Sequence, residues 1–157
     1  MPVKQHLYRV TVEWTGNRGL GTLGHAGYDR DHTISAGAKP PIAGSSDPAF
    51  RGDPARWNPE ELLLASISAC HKMWYLDLCA KVGISVLSYR DDAEAVMAES
   101  RNGAGRFIAA VLHPGIVIRA GGNIAEAHRL HHDAHEYCFI ANSVNFPVTC
   151  EPTIIAG

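Results

Sequence analysis

The chain is short of charge. Lysine and arginine number 14, aspartate and glutamate 16, and together they make up 19% of 157 residues with a formal net charge of -2. No basic run occurs, so nucleic-acid binding has no electrostatic footprint here. No apolar stretch approaches the ~20 residues that span a bilayer. The opening Met1-Pro2-Val3-Lys4-Gln5-His6 lacks the apolar core of a signal peptide. The expected location is therefore the cytoplasm, where thiols stay reduced. Cys70, Cys79, Cys138 and Cys150 are too few for a disulfide scaffold, and none stands in Cys-x-x-Cys spacing. That excludes a zinc ribbon and a thioredoxin motif. There is no internal repeat and no low-complexity tract. What is present is 46% hydrophobic residues, enough for a packed core. The length suits one domain over residues 1–157.

Alternation predicts a strand over residues 5–14, with Val10, Val12 and Trp14 on one face. The Gly16-Asn17-Arg18-Gly19 run predicts a turn. Two further strands, 20–28 and 32–37, complete a small N-terminal sheet. Residues 38–57, rich in Pro, Gly, Ser and Asp, read as a long irregular loop of the kind that wraps a partner or covers a site. A helix follows. Asn58 suits its N-cap, Pro59 its first position and Glu61 its third, and Gly83 its stop. Leu62, Leu63, Leu64, Ile67, Met73, Trp74, Leu76 and Leu78 make that helix apolar on nearly every side. A helix of that kind must be covered all round. A second copy of the chain is the expected cover, which predicts an intertwined homodimer. Residues 84–100 and 105–119 read as two long antiparallel strands joined at Asn102-Gly103, with a break near Pro114-Gly115. Residues 123–137 predict a second helix, and 147–155 a closing strand. The order is that of an α+β fold.

The candidate chemistry is carried by thiols. Cys70 lies deep in the first helix and Cys138 ends the second. A thiol attacks peroxide as thiolate, and apolar surroundings oppose that charge. Cys70 is too far from the helix start for the dipole to help. A cation must reach it, and Arg18, Arg51 and Arg56 all lie upstream on loops. Arginine keeps its charge when buried. Glu60 is a candidate counter-charge. It stands ten residues from Cys70, ~15 Å along a helix, so the two do not touch within one helix. Taken singly, each residue has a plainer role: a core thiol, a dipole-matching glutamate, solvated loop arginines. Cys79 and Cys150 read as structural. His128, His131, His132 and His135 form i,i+4 pairs on the second helix, a spacing able to ligate metal, but no His-Glu-x-x-His run accompanies them. A solvated face is the expected reading, with no metal and no other cofactor.

Asn58-Pro59-Glu60-Glu61-Leu62 through Ala69-Cys70 resembles the first cysteine helix of the OsmC/Ohr family. Ala134-His135-Glu136-Tyr137-Cys138-Phe139-Ile140-Ala141-Asn142-Ser143 resembles its second-cysteine motif, and Gly16-Asn17-Arg18-Gly19 is similar to its arginine turn. The resemblance covers almost the whole chain. It implies an OsmC-like α+β fold, antiparallel sheets around a long buried central helix, in an intertwined homodimer with sites at the subunit interface. It implies reduction of organic hydroperoxides, with Cys70 peroxidatic, Cys138 resolving, and Arg18 and Glu60 poising the thiolate. Arg51 or Arg56 takes the arginine's place if the loop before the helix supplies it. A dithiol, lipoyl-type dithiols among the candidates, would be the reductant. Phe139 stands where relatives often have proline, and His71 where an apolar residue is common. Those departures place the chain in a less-studied OsmC-like branch. Two other readings stand beside this one: a non-catalytic dimeric module for an apolar ligand, and a metal-binding stress protein using the histidine helix and Cys138.

Overall fold

The computed structural model describes residues 3–157. Its contacts gather into two compact units, one ending at Leu62 and the other Leu63–Gly157.

In the first unit, β1 (Thr11–Trp14), β2 (His32–Ser35) and β3 (Ile42–Gly44) form an antiparallel sheet in that order. A three-stranded sheet was expected, but from other residues. The ladder starts at Thr11 rather than residue 5. Residues 20–28 are turns, because Gly19, Gly21 and Gly24 take positive φ and cannot hold an extended run. The third strand comes from the stretch expected to be irregular. Gly44 is needed there, since a Cβ would lie 2.3 Å from the His32 ring. A 3-10 turn at Pro48–Phe50 follows, capped by Asp47, whose carboxylate accepts from Ala49 N at 2.7 Å.

Helix α1 (Pro59–Lys81) has the expected bounds. Asn58 Oδ1 accepts from Glu61 N at 2.8 Å, so the cap is made. The Glu61 carboxylate accepts from the Asn58 side-chain amide rather than from its backbone N–H. Gly83, at φ 78, ends the helix, and Ile84 N closes onto Cys79 O at 2.9 Å. Within one chain only a stripe of α1 is buried: Ile67, Cys70, His71, Tyr75 and Cys79. Met73 and Leu76 remain exposed, so the all-round burial expected of this helix is not achieved by one chain.

The second unit holds two three-stranded sheets. One has the order β4 (Val86–Asp91), β7 (Pro114–Ile118), β9 (Thr153–Ala156); the other has β5 (Glu94–Glu99), β6 (Gly105–Leu112), β8 (Val148–Cys150). The β5–β6 hairpin turns at Asn102-Gly103 as expected. Each long strand anticipated from alternation is split. Residues 84–100 break at Asp92-Ala93, 105–119 at His113, and 147–155 at Glu151-Pro152. In each case the chain leaves one sheet and enters the other. Asp91 holds this corner: Oδ1 accepts from His113 N at 2.7 Å, and Oδ2 accepts from the Ser68 hydroxyl of α1. β8 and β9 join in parallel to β6 and β7, so the sheets are mixed rather than wholly antiparallel.

Helix α2 (Ile124–Tyr137) is capped by Asn123 Oδ1, which accepts from Glu126 N at 3.0 Å. Two apolar clusters divide α1 between them. Ile67 packs with Ala110, Leu112 and Val148 of the β5-β6-β8 sheet. Tyr75 and Cys79 pack with Ile116, Ile118 and Ile154 of the other sheet and with Ala127, Leu130 and Ala134 of α2. Each large side chain sealed this way contributes about 1.5–3 kcal/mol. Cys70 and His71 fall in the seam between the two clusters.

Candidate active site

Cys70 and Cys138, separated by most of the second unit in sequence, come together in space. The α1 stripe turns Cys70 inward. α2 ends at Cys138, whose N–H reaches His135 O at 3.3 Å. All four cysteines are free thiols. Cys138 is 0% exposed and Cys70 7%. Burial pushes the Cys138 thiol up to about 11, and the Cys70 side chain, within hydrogen-bonding reach, adds to that rise. Ala141 N donates to Cys138 Sγ at 3.5 Å and works against it. Cys138 is therefore held as a protonated thiol facing Cys70.

Beside the pair lies an aromatic group. Trp74 stacks on Tyr137 with centroids 5.1 Å apart and meets Phe139 edge-on at 5.5 Å. Tyr137 and Phe139 flank Cys138 in sequence and are 54% and 68% exposed, so apolar surface reaches solvent next to the thiols. Tyr137 is the last residue of α2. Met73 is exposed on α1, and Trp57 belongs to the first unit.

The arginine candidates and Glu60 all lie in the first unit. Arg18 donates to Ala26 O and pairs with Asp29 at 3.6 Å, not with Glu60. Arg56 is committed to its own sheet: it donates to Gly44 O and His32 O, each at 2.9 Å, and pairs with Asp31 at 3.8 Å. Arg51 takes a left-handed backbone at φ 65 and forms no ion pair within 4.0 Å among the described residues. Glu60 keeps a buried oxygen, Oε2, with no hydrogen-bond partner among the described residues.

The histidines divide. His131 is buried, His135 half-buried, and His128 and His132 exposed. The partners of His131 are not Cys138 but His71 and Cys150. His71 Nε2 and His131 Nδ1 are 3.0 Å apart, and Cys150 Sγ lies 3.7 Å from each. Cys150 thus has polar company that its structural reading did not foresee. Burial holds His71 down at about 4 and His131 at about 3, so both rings are neutral near pH 7. The one sequence signal was His71 itself, a polar residue on the buried stripe beside Cys70.

No curated protein matches the chain. Its structure is similar to that of an OsmC-like protein of unknown function from Vibrio cholerae, at 29% identity and a TM-score of 0.84, covering 95% of this chain and 100% of that one. An OsmC-like protein from Mycoplasma pneumoniae superposes with a TM-score of 0.73 at 13% identity, over 97% and 99% of the two chains. An organic hydroperoxide resistance protein from Elizabethkingia anophelis gives 0.67 at 20% identity, over 98% and 100%. The two lower identities speak for the fold alone. The family described as OsmC-like protein matches residues 52–153, which span both cysteines. With that match and the α+β architecture around α1, the chain belongs to the OsmC-like family.

Proposed function

We propose that this protein is a thiol peroxidase that reduces organic hydroperoxides of the alkyl or lipid type. The observation that carries the reading is the pair itself: two buried free thiols from different helices, side by side, with the proton held on Cys138. In this scheme Cys70 attacks and Cys138 resolves. Cys70 thiolate attacks the distal peroxide oxygen; the O–O bond breaks, the alcohol leaves with a proton, and Cys70 becomes a sulfenic acid. Cys138 thiol then displaces hydroxide from that sulfur, releasing water and forming the Cys70–Cys138 disulfide. A dithiol reductant exchanges both protons and electrons back, leaving two thiols and an oxidised reductant. The chemistry uses no metal, flavin or haem. The Trp74, Tyr137 and Phe139 surface favours an apolar substituent on the peroxide.

Arginine supplies the countercharge in this reading. Arg18 is the first candidate and Arg51 the second; Arg56 is held by its own sheet. The unpartnered Oε2 of Glu60 and the exposed Met73 and Leu76 on α1 support completion of the site by a second copy of the chain. The active form would be a homodimer with interfacial sites, working in the reducing cytoplasm.

The test is hydroperoxide consumption with monothiol and dithiol reductants. Cys70→Ser abolishes turnover. Cys138→Ser permits one turnover and then accumulates Cys70 sulfinic acid. Parallel Arg18→Met and Arg51→Met proteins show which arginine activates Cys70. Four unreacted thiols in the native protein after a stoichiometric dose of cumene hydroperoxide reject the mechanism.

A further inference from the structure

The histidine pair and Cys150 have no part in the peroxidase scheme. We infer that His71 Nε2, His131 Nδ1 and Cys150 Sγ form a three-ligand site for a borderline-soft divalent metal of the zinc class. The three donors come from α1, α2 and the end of β8, so one ion would join three elements of the second unit.

The spacing supports this. Two imidazole nitrogens at ~2.05 Å and a thiolate at ~2.3 Å from a tetrahedral centre stand about 3.4 Å from each other and about 3.6 Å from the sulfur. The observed edges are 3.0 Å between the nitrogens and 3.7 Å from each to Sγ. The nitrogens need to part by a few tenths of an ångström. The two rings are nearly coplanar, 3° apart with centroids at 5.3 Å, which is the in-line geometry of a shared N–H···N hydrogen bond. A metal would take the place of that bridging proton, with the rings tilting toward Cys150. His131 can make that swap. Its Nε2 is buried without a partner among the described residues, so the ring proton can reside there and leave Nδ1 as a lone pair. Tyr75 stacks on the same ring at 3.8 Å and sets its plane.

Proton competition is one-sided. Both imidazoles are neutral near pH 7, and only Cys150, which burial pushes up to about 12, has a proton to release on binding. The Asp91 carboxylate acts on both His71 and Cys150, and it favours a cation at this place. Three protein ligands leave a fourth position open. A cleft of about 430 Å³ whose lining includes His131 and Cys150 borders the site, so water can enter as the fourth ligand.

Cobalt(II) reports on such a site by colour. Titrated into reduced Cys70→Ser/Cys138→Ser protein, it should give a thiolate-to-cobalt charge-transfer band and tetrahedral d–d absorption at one equivalent. Zinc should displace it. Cys150→Ser should abolish the charge-transfer band and weaken binding by about 100-fold or more, while an exposed-surface variant, His128→Ala/His132→Ala, keeps the band. Zinc-edge X-ray absorption on the same Cys70→Ser/Cys138→Ser protein should count one sulfur and at least two imidazole nitrogens, whatever the stability of the Cys150 variant. Absence of the band, its survival in Cys150→Ser, its loss in the surface variant, or a shell without sulfur would overturn the assignment. None of these outcomes depends on peroxidase activity.

Discussion

Oxidation by one equivalent of organic hydroperoxide should make the protein markedly harder to unfold. The reasoning starts from the two thiols already being neighbours in the reduced state, so the native structure need not move far to accept the bond. In the unfolded chain the same bond closes a loop of about 69 residues, from Cys70 to Cys138, and removes about 4 kcal/mol of chain entropy at 25 °C. That loop lies wholly within the second unit. For a urea dependence of ~2 kcal/mol per molar, the midpoint rises by about 2 M. The thermal midpoint rises by about 8–16 °C for a chain of this length. Urea unfolding of the reduced and hydroperoxide-treated proteins, with intact mass showing loss of two hydrogens, measures the effect. Cys138→Ser, treated alike, should show no gain. Oxidised protein that forms the disulfide yet unfolds at the reduced midpoint would refute the claim that the pair is preorganised.

Three further outcomes follow from the same structure. The thiol of Cys138 sits near 11 chiefly through burial, so its thiolate fraction grows about tenfold per pH unit below that value; rapid-quench measurement of disulfide formation after sulfenate formation should climb accordingly between pH 7 and 9, and a flat profile would show that Cys138 does not resolve as thiolate. Trp74→Ala removes the platform that Tyr137 and Phe139 pack on, so KM for aryl and lipid hydroperoxides should rise about tenfold with little change for hydrogen peroxide; equal losses for both substrates would mean the aromatic group only packs. Asp91→Ala leaves His113 N–H and the Ser68 hydroxyl without their acceptor and should cost about 2–4 kcal/mol. Asp91→Asn retains one acceptor oxygen and should cost under about 1.5 kcal/mol, and equal destabilisation in denaturant melts would count against the corner's role.

Helix α1 was legible because its determinants are local. Asn58, Pro59 and Gly83 each act within one turn of where they stand, and the observed bounds follow them. The thiol pair was legible through the two cysteine motifs, each carried on a helix whose caps could be read. The sheets were not, because residues 84–100 hold no proline or glycine to mark a break, while the bend at Asp92-Ala93 is held by contacts from Asp91 to His113 and Ser68, more than twenty residues away. β3 is three residues long, too short to show a period. Glycines at 19, 21 and 24 outweighed a strand pattern over 20–28. The company of His71 depended on partners 60 and 79 residues further along, a juxtaposition that only the folded chain displays. The same distance hid Cys150, whose position near the C-terminal end resembles ordinary strand packing.

In the proposed peroxidase cycle, the complete enclosure of Cys138 would give the recovery half a direction. An incoming reductant finds only one sulfur of the bridge within reach, that of Cys70, so the mixed species formed on the way back must sit on α1. The departing sulfur is then the one whose surroundings most readily return a proton to it. Regeneration would begin at the outer atom and finish at the inner one, and a reductant too broad to approach α1 would leave the protein locked in its oxidised form.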